Sequence, residues 1–211
     1  MKEKIVLIGG GGHCKAVIET IEQEAKYQIA GIVDVKEKMG QKVLGYSVFA
    51  SDEDIPELRK KYTNFIVTVG YINSLKIRLR AYKLLKEQLA VLPVIIAPSA
   101  SVSRHADIGE GSVVLAGARV NAGAKVGANC IINTGGIIEH DSVVCDHCHI
   151  STGSIVNGGC VVKEGGFLGS NSVLVNNISI SENTQIGAGS VVISSITEAG
   201  VYVGNPVRRI G

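Results

Sequence analysis

The sequence predicts a small parallel α/β domain over residues 1–97 followed by a β-helix over residues 98–211. Three observations carry this reading. An aliphatic residue stands at every sixth position from Val102 to Val192, sixteen times without a slip. Three places after it comes Gly eight times, Asn four times, and otherwise His105, Asp141, His147 or Ser195. Before residue 97 the pattern changes to short apolar strands alternating with helical stretches, one strand ending in Gly9-Gly10-Gly11-Gly12-His13.

The six-residue period fits neither a helix nor a strand, so the chain must turn a corner once per hexapeptide. Gly, Asn, Asp and His tolerate positive φ, which predicts a tight left-handed turn at each corner, His105 and His147 included. One place further on, 14 of 16 residues are Ala, Ser, Cys, Gly or Thr, small enough to stack beneath it. With three hexapeptides to a turn, a little over five coils stack their aliphatic column into a core.

The front unit reads in order as a strand Lys4 to Ile8, a helix from about Cys14 to Ala25 and a strand Ile29 to Val33 ending at Asp34. A third strand is expected from Tyr46 to Phe49, a helix starting at Ser51, a strand from Phe65 to Val69 ending at Gly70, a helix from about Ser74 to Leu89, and a strand from Pro93 to Ala97. Such alternation indicates a parallel, Rossmann-like sheet. Backbone amides of the glycine run and the helix start after it suit phosphates, and Asp34 could hold a ribose hydroxyl. The dinucleotide fingerprint is broken, because Cys14 stands where its third Gly belongs, and the unit is half the size of a two-lobed dinucleotide fold. A nucleotide-linked ligand such as a nucleotide sugar is therefore favoured over NAD. His13 could cap the helix or touch that ligand.

Composition bounds the partners. A formal net charge of +2 predicts no nucleic-acid or other polyanion binding. No apolar run approaches the ~20 residues of a membrane span, and an apolar signal stretch is missing from the start, so the expected location is cytoplasmic. Five cysteines argue against a disulfide framework. Cys145 and Cys148 spell C-x-x-C, but Cys130, Cys148 and Cys160 fall in the small-residue slot, which makes them core filler. No second C-x-x-C completes a zinc site, and no metal is expected.

Two histidines escape the corner slot. His140 lies between Glu139 and Asp141, and an imidazole beside a carboxylate suits a general base. His149 immediately precedes Ile150. Gly158 lies eighteen residues beyond His140, one coil along in the same column, where its amide is reachable by a ligand lying against His140.

Glu139-His140-Asp141, His149, Gly158, the front Gly11-Gly12-His13 and the terminal Gly204-Asn205-Pro206 together resemble the sialic-acid O-acetyltransferase and UDP-amino-sugar N-acetyltransferase family of hexapeptide-repeat enzymes. The resemblance covers essentially the whole chain. It implies a left-handed parallel β-helix, acetyl-CoA as co-substrate, and acetylation of the 4-amine of a UDP-linked 4-amino-4,6-dideoxy sugar of the bacillosamine type. By the same resemblance His140 is the base and Asp141 tunes it, with Glu139 as the other candidate. His149 would donate to the thioester carbonyl, with the Gly158 amide as oxyanion donor, and Ser170 and Ala188 would line the pantetheine. Gly11, Gly12, His13, Asp34, Val35 and Gly70 would hold the nucleotide sugar, Val35 replacing a frequent second acid. The family's homotrimers, with the site between neighbouring helices, are the expected assembly. The rival readings are O-acetylation of sialic acid, N-acylation of another nucleotide amino sugar such as GDP-perosamine, a trimeric carbonic anhydrase using His140, His147 and His149, and a scaffold that binds nucleotide sugars without chemistry.

Overall fold

The computed structural model describes residues 2–72 and 74–210, which form two compact units, Met1–Pro98 and Ser99–Gly211. In the first, strands β1 (Glu3–Ile8), β2 (Tyr27–Val33), β3 (Lys42–Val43), β4 (Tyr46–Ala50) and β5 (Asn64–Val67) assemble in the order β3-β4-β2-β1-β5. All pairings are parallel except that of β3 with β4. Helices α1 (Gly12–Glu24), α2 (Ile55–Lys61) and α3 (Lys76–Glu87) alternate with the strands, and a short β6 (Ile95–Ile96) ends the unit. Each apolar run is buried on both sides, as a helix-covered parallel sheet requires: Ile5, Val6, Leu7, Phe65 and Ile66 are fully inaccessible.

The acidic run after β4 starts a helix as its residues predict, through a capping box. The Ser51 N–H and hydroxyl both donate to Asp54 Oδ2, at 2.8 and 2.9 Å, which stabilises the first turn by satisfying donors that have no intrahelical partner. A short 3-10 turn (Asp52–Asp54) precedes α2.

The second unit is the β-helix expected from the repeat, with the left hand that the family resemblance implies. Sixteen two-residue strands, β7 (Ser101–Val102) to β22 (Val191–Val192), pair in parallel with the strand eighteen residues on, as in Arg119↔Ile137↔Ile155. Every third strand shares a face. Face 1 carries every third strand from β7 to β22, six in all, including β13 (Ile137–Ile138); face 2 includes β14 (Val143–Val144); face 3 includes β15 (His149–Ile150) and β18 (Phe167–Leu168). The second residue of each pair points inward, and from Val114 to Val192 this column is buried throughout. Burying a Val, Leu or Ile contributes about 1.5–3 kcal/mol, so each coil is stable only through its neighbours.

Positive φ appears at all eight corner glycines, at Asn129, Asn171, Asn177 and Asn183, and at Asp141 and His147. The two ends depart from the pattern. His105 and Ser195 are not left-handed, contrary to the sequence expectation. The His105 N–H donates to Ser103 Oγ at 3.1 Å and Ala106 N–H to Ser103 O at 3.0 Å, which close the turn without a left-handed residue. At Ser195 the chain leaves the repeat, and its hydroxyl accepts the Ser179 N–H at 3.0 Å.

The small-residue slot has a second role. Ser112, Ser142 and Ser154 donate their hydroxyls to the carbonyls of Gly127, Asn157 and Gly169 in the next corner along, at 2.7 to 2.8 Å. Cys130 and Cys160 point their thiols at the carbonyls of Cys145 and Val175 in the same way. These residues fill the corner and satisfy buried backbone acceptors at once. After Val192 the chain adds β23 (Val201–Gly204), parallel to β21 (Gln185–Ile186), and β24 (Val207–Arg209), antiparallel to β23, an element the tail sequence did not signal.

Candidate functional site

In the front unit, β1 continues into β2 on one side and pairs with β5 on the other, so the carboxyl ends of these strands form the crevice where open α/β sheets bind ligands. A cleft of about 390 Å3 opens there, lined by Gly9, Asp34, Val35, Asp52, Val69, Ile77 and Arg80 among others. Gly9 has φ 104°, and a Cβ there would meet the Val69 side chain at 2.5 Å, so only glycine lets the loop pass. Gly11 is the N-cap of α1 with no side-chain cap, and added Cβ atoms on Gly11 or Gly12 would meet nothing within 4 Å. Those amides therefore remain approachable, as phosphate binding requires.

Asp34 organises this loop. Its Oδ2 accepts the Gly10 N–H at 2.7 Å and the Lys38 ammonium at 2.9 Å, and its Oδ1 accepts the Val35 N–H at 2.7 Å. Burial pushes its carboxyl up, but the Lys38 ammonium and the two amides outweigh that and hold it below the usual carboxylate value. His13 sits in the first turn of α1 and does not cap it, because Gly11 occupies the cap position. His13 packs instead against Gly70, where an added Cβ would lie 3.4 Å from its own Cβ. Val35 is 53% exposed at the cleft wall.

One positioning residue escaped the sequence reading. Arg78, 1% exposed on the buried stripe of α3 with Ala81 and Leu85, donates through one guanidinium nitrogen to Val67 O at 3.0 Å and Val69 O at 2.7 Å. It fixes the loop that follows β5. An arginine falling on a helix's apolar stripe was the available signal.

In the β-helix, His140 and Asp141 stand at the edge between faces 1 and 2, with side chains 64% and 74% exposed. His140 Nδ1 lies 2.9 Å from Asp141 Oδ2. Glu139 is engaged elsewhere, accepting from the Asn121 amide at 2.9 Å. Asp141 is therefore the carboxylate in contact with the ring. Gly158 follows in the next coil at the same edge, and a Cβ there would lie 2.7 Å from His140 Nε2, so the imidazole occupies the space its missing side chain leaves. The Gly158 N–H makes no hydrogen bond with the described residues.

His149 does not join this group within one chain. It lies on face 3, 5% exposed, with Nε2 3.1 Å from Asn133 Nδ2 and its ring edge-on to Phe167 at 5.3 Å. Ser170 and Ala188 occupy successive coils at the edge between faces 3 and 1. Ser170 Oγ is 3.2 Å from Ser151 Oγ, and the neighbouring Gly169 passes so close to Ala188 that a Cβ would meet its backbone nitrogen at 2.5 Å. The result is a strip of short side chains along that edge.

The other histidines do not converge. His147 turns the edge between faces 2 and 3, with Nδ1 3.1 Å from Asn129 Nδ2. Among the described residues no three His, Cys, Asp or Glu are placed to hold a metal ion. No helix there is long and apolar enough to cross a membrane.

Comparison with known proteins places this architecture. The family described as the PglD N-terminal domain matches residues 4–85. A comparison with curated protein sequences finds no match. The perosamine N-acetyltransferase of Caulobacter crescentus, solved in complex with CoA and GDP-perosamine, is 33% identical, covers 99% of this chain and 97% of its own, and superposes with a TM-score of 0.92. Forms of that enzyme with one histidine replaced by Asn or Ala were solved with both ligands. The acetyltransferase domain of PglB from Neisseria gonorrhoeae, in complex with acetyl coenzyme A, is 29% identical over 100% of both chains, with a TM-score of 0.91. WeeI from Acinetobacter baumannii, 21% identical over 99% of this chain and 100% of its own with a TM-score of 0.88, shares the fold. The chain belongs to the family of hexapeptide-repeat amino-sugar acetyltransferases.

Proposed function

We propose that this protein transfers the acetyl group of acetyl-CoA to the 4-amine of a nucleotide-linked 4-amino-4,6-dideoxy sugar, with His140 as general base. The observation that carries the reading is the His140–Asp141 contact above Gly158. With Nδ1–H donating to Asp141 Oδ2, Nε2 bears the lone pair, beside Gly158 on a largely exposed ring. It takes the proton from the amine as the nitrogen attacks the thioester carbonyl, and returns it to the departing thiolate. The Gly158 N–H is the donor for the oxygen that gains charge.

The front cleft takes the nucleotide, with Gly11, Gly12 and His13 at the phosphates and Asp34 near the ribose, where its Oδ1 retains acceptor capacity. Val35 and Gly70 complete the wall. Ser170 and Ala188 accept the pantetheine arm of CoA, and His149 approaches the thioester from the same side. Face 1 supports a homotrimer. Its outward column of Ile137, Ile155, Val173 and Val191 is apolar and only partly buried in the single chain. His140 borders that face on one edge, and Ser170 and Ala188 border it on the other. Packing face 1 between copies thus brings one copy's base beside a neighbour's strip of small residues.

The sequence resemblance implies a UDP-linked acceptor. Likeness to the Caulobacter enzyme supports a GDP-linked amino sugar as the second reading. Incubating the protein with acetyl-CoA and each nucleotide-linked amino sugar, and following free thiol, tests both. Thiol release with neither acceptor, and none with sialic acid, would leave a binding scaffold as the reading.

A further inference from the structure

The cleft of the front unit is lined by groups of both charges together with aliphatic side chains. The inference rests on the nucleotide-sugar reading above and extends it to the identity of the base. Three acids follow β4. Glu53 accepts from the Lys36 ammonium at 2.6 Å, and Asp54 is held by Ser51 at 2.8 and 2.9 Å. The Asp52 carboxylate makes no hydrogen bond or ion pair with the described residues, and Asp52 lines the cleft. Asp34 is not the equivalent group, because its oxygens accept from Gly10, Val35 and Lys38 and what capacity Oδ1 retains is assigned above to the ribose.

Val35 and Ile77 line the same cleft and remain 53% and 68% exposed. Two aliphatic side chains left in solvent at one cleft suit the faces of a planar ring. The other polar groups of the lining differ in kind: Asp52 is acceptor-only, whereas Lys76 and Arg80 are donor-only, the guanidinium alone offering a planar fork. Guanine presents two kinds of edge that match, N1–H and N2–H2 for a carboxylate, O6 and N7 for a guanidinium. Uracil offers a single N–H flanked by carbonyl oxygens, so the second carboxylate oxygen would face an acceptor. We propose that this cleft binds the guanine of a nucleoside diphosphate, and that Asp52 is the residue that distinguishes guanine from uracil.

Calorimetric titration of the full chain with GDP and with UDP tests this. GDP is expected to bind at least ~10-fold more tightly, and Asp52→Asn to remove that preference by weakening GDP about 10- to 100-fold while leaving UDP unchanged, the range of one good base-edge pair. Asp52 is exposed, and unchanged circular dichroism and thermal midpoint confirm that the variant folds. Equal affinities, tighter UDP, binding of neither nucleotide, or a variant that keeps the wild-type preference overturns the assignment. Acetyl transfer is read separately by thiol release with GDP- and UDP-linked 4-amino sugars. Transfer to the UDP sugar alone sinks the guanine assignment and leaves the acetyltransferase reading standing. Asp52-dependent GDP binding without transfer to any amino sugar does the reverse.

Discussion

His140 Nδ1 lies 2.9 Å from Asp141 Oδ2 while Asp141 itself turns the corner with φ 60°. The corner does not require a charge. Asn171 and Asn177 make the same left-handed turn, with their Oδ1 atoms over Gly153 and Gly159 of the preceding coil as Asp141 Oδ1 lies over Gly123. An Asp where Asn satisfies the backbone points to a demand from the ring beside it. Asp141→Asn is therefore expected to leave stability within about 0.5 kcal/mol, as for other surface changes, and to lower kcat ~10-fold or more by losing the carboxylate that stabilises the imidazolium. Glu139→Gln, removing a group already bonded to Asn121, is expected to change kcat by less than about 3-fold, below the range of a lost acid or base. Steady-state kinetics and urea unfolding of both variants check the pair, and the reverse ranking would make Glu139 the partner.

Gly158 tests the same site from below. Its φ lies outside the left-handed range, so Ala is permitted by the backbone, but the added methyl would lie 2.7 Å from His140 Nε2. Gly158→Ala is expected to fold normally and to lose about 10²-fold in kcat, the order expected when a reacting group is displaced by about 1 Å. Turnover at the wild-type rate would show that the ring does not work from this position.

Asp34 makes a pH-dependent contribution. Its folded value is depressed, so the stability it supplies is complete above the unfolded value near 4 and is lost as the pH falls through the lower folded value. The difference in unfolding free energy between wild type and Asp34→Asn should be largest at neutral pH and should narrow below about pH 4. Urea titrations at pH 7 and pH 3 measure it. A gap that widens on acidification would contradict the sign.

Leu168 is 0% exposed in the inner column. Leu168→Ala leaves a cavity between stacked coils that cannot collapse without breaking their register, and is expected to cost about 2–5 kcal/mol in chemical denaturation.

The β-helix was legible because one geometric demand recurs. Each corner needs a residue that accepts positive φ, and Gly, Asn, Asp141 and His147 announce it directly. His105 and Ser195 misled because a turn at the end of the stack can close through Ser103 or lead out of the repeat, and residue type alone does not record whether a further coil follows. Strands β3, β23 and β24 were not foreseen, because outside the repeat a strand of two to four residues is defined by the partner it meets. At the candidate site the sequence put His140, Asp141 and Gly158 in one neighbourhood through the eighteen-residue stagger. It could not choose between Asp141 and Glu139, since that depends on Asn121 reaching across a coil. Asp34 read as a ribose ligand from its place after β2. Its bonds to Gly10, Val35 and Lys38, and the hold of Arg78 on the loop after β5, depend on side-chain reach that spacing does not encode.

The central claim is that the imidazole of His140 removes the proton from the acceptor amine, and one measurement addresses it most directly. Thiol release from acetyl-CoA is followed with the preferred nucleotide-linked 4-amino sugar for wild type and His140→Asn, with CoA affinity measured in parallel. The account predicts a fall in kcat of ~10²-fold or more with CoA affinity unchanged, as for a lost general base. Wild-type turnover by a correctly folded His140→Asn protein would contradict it.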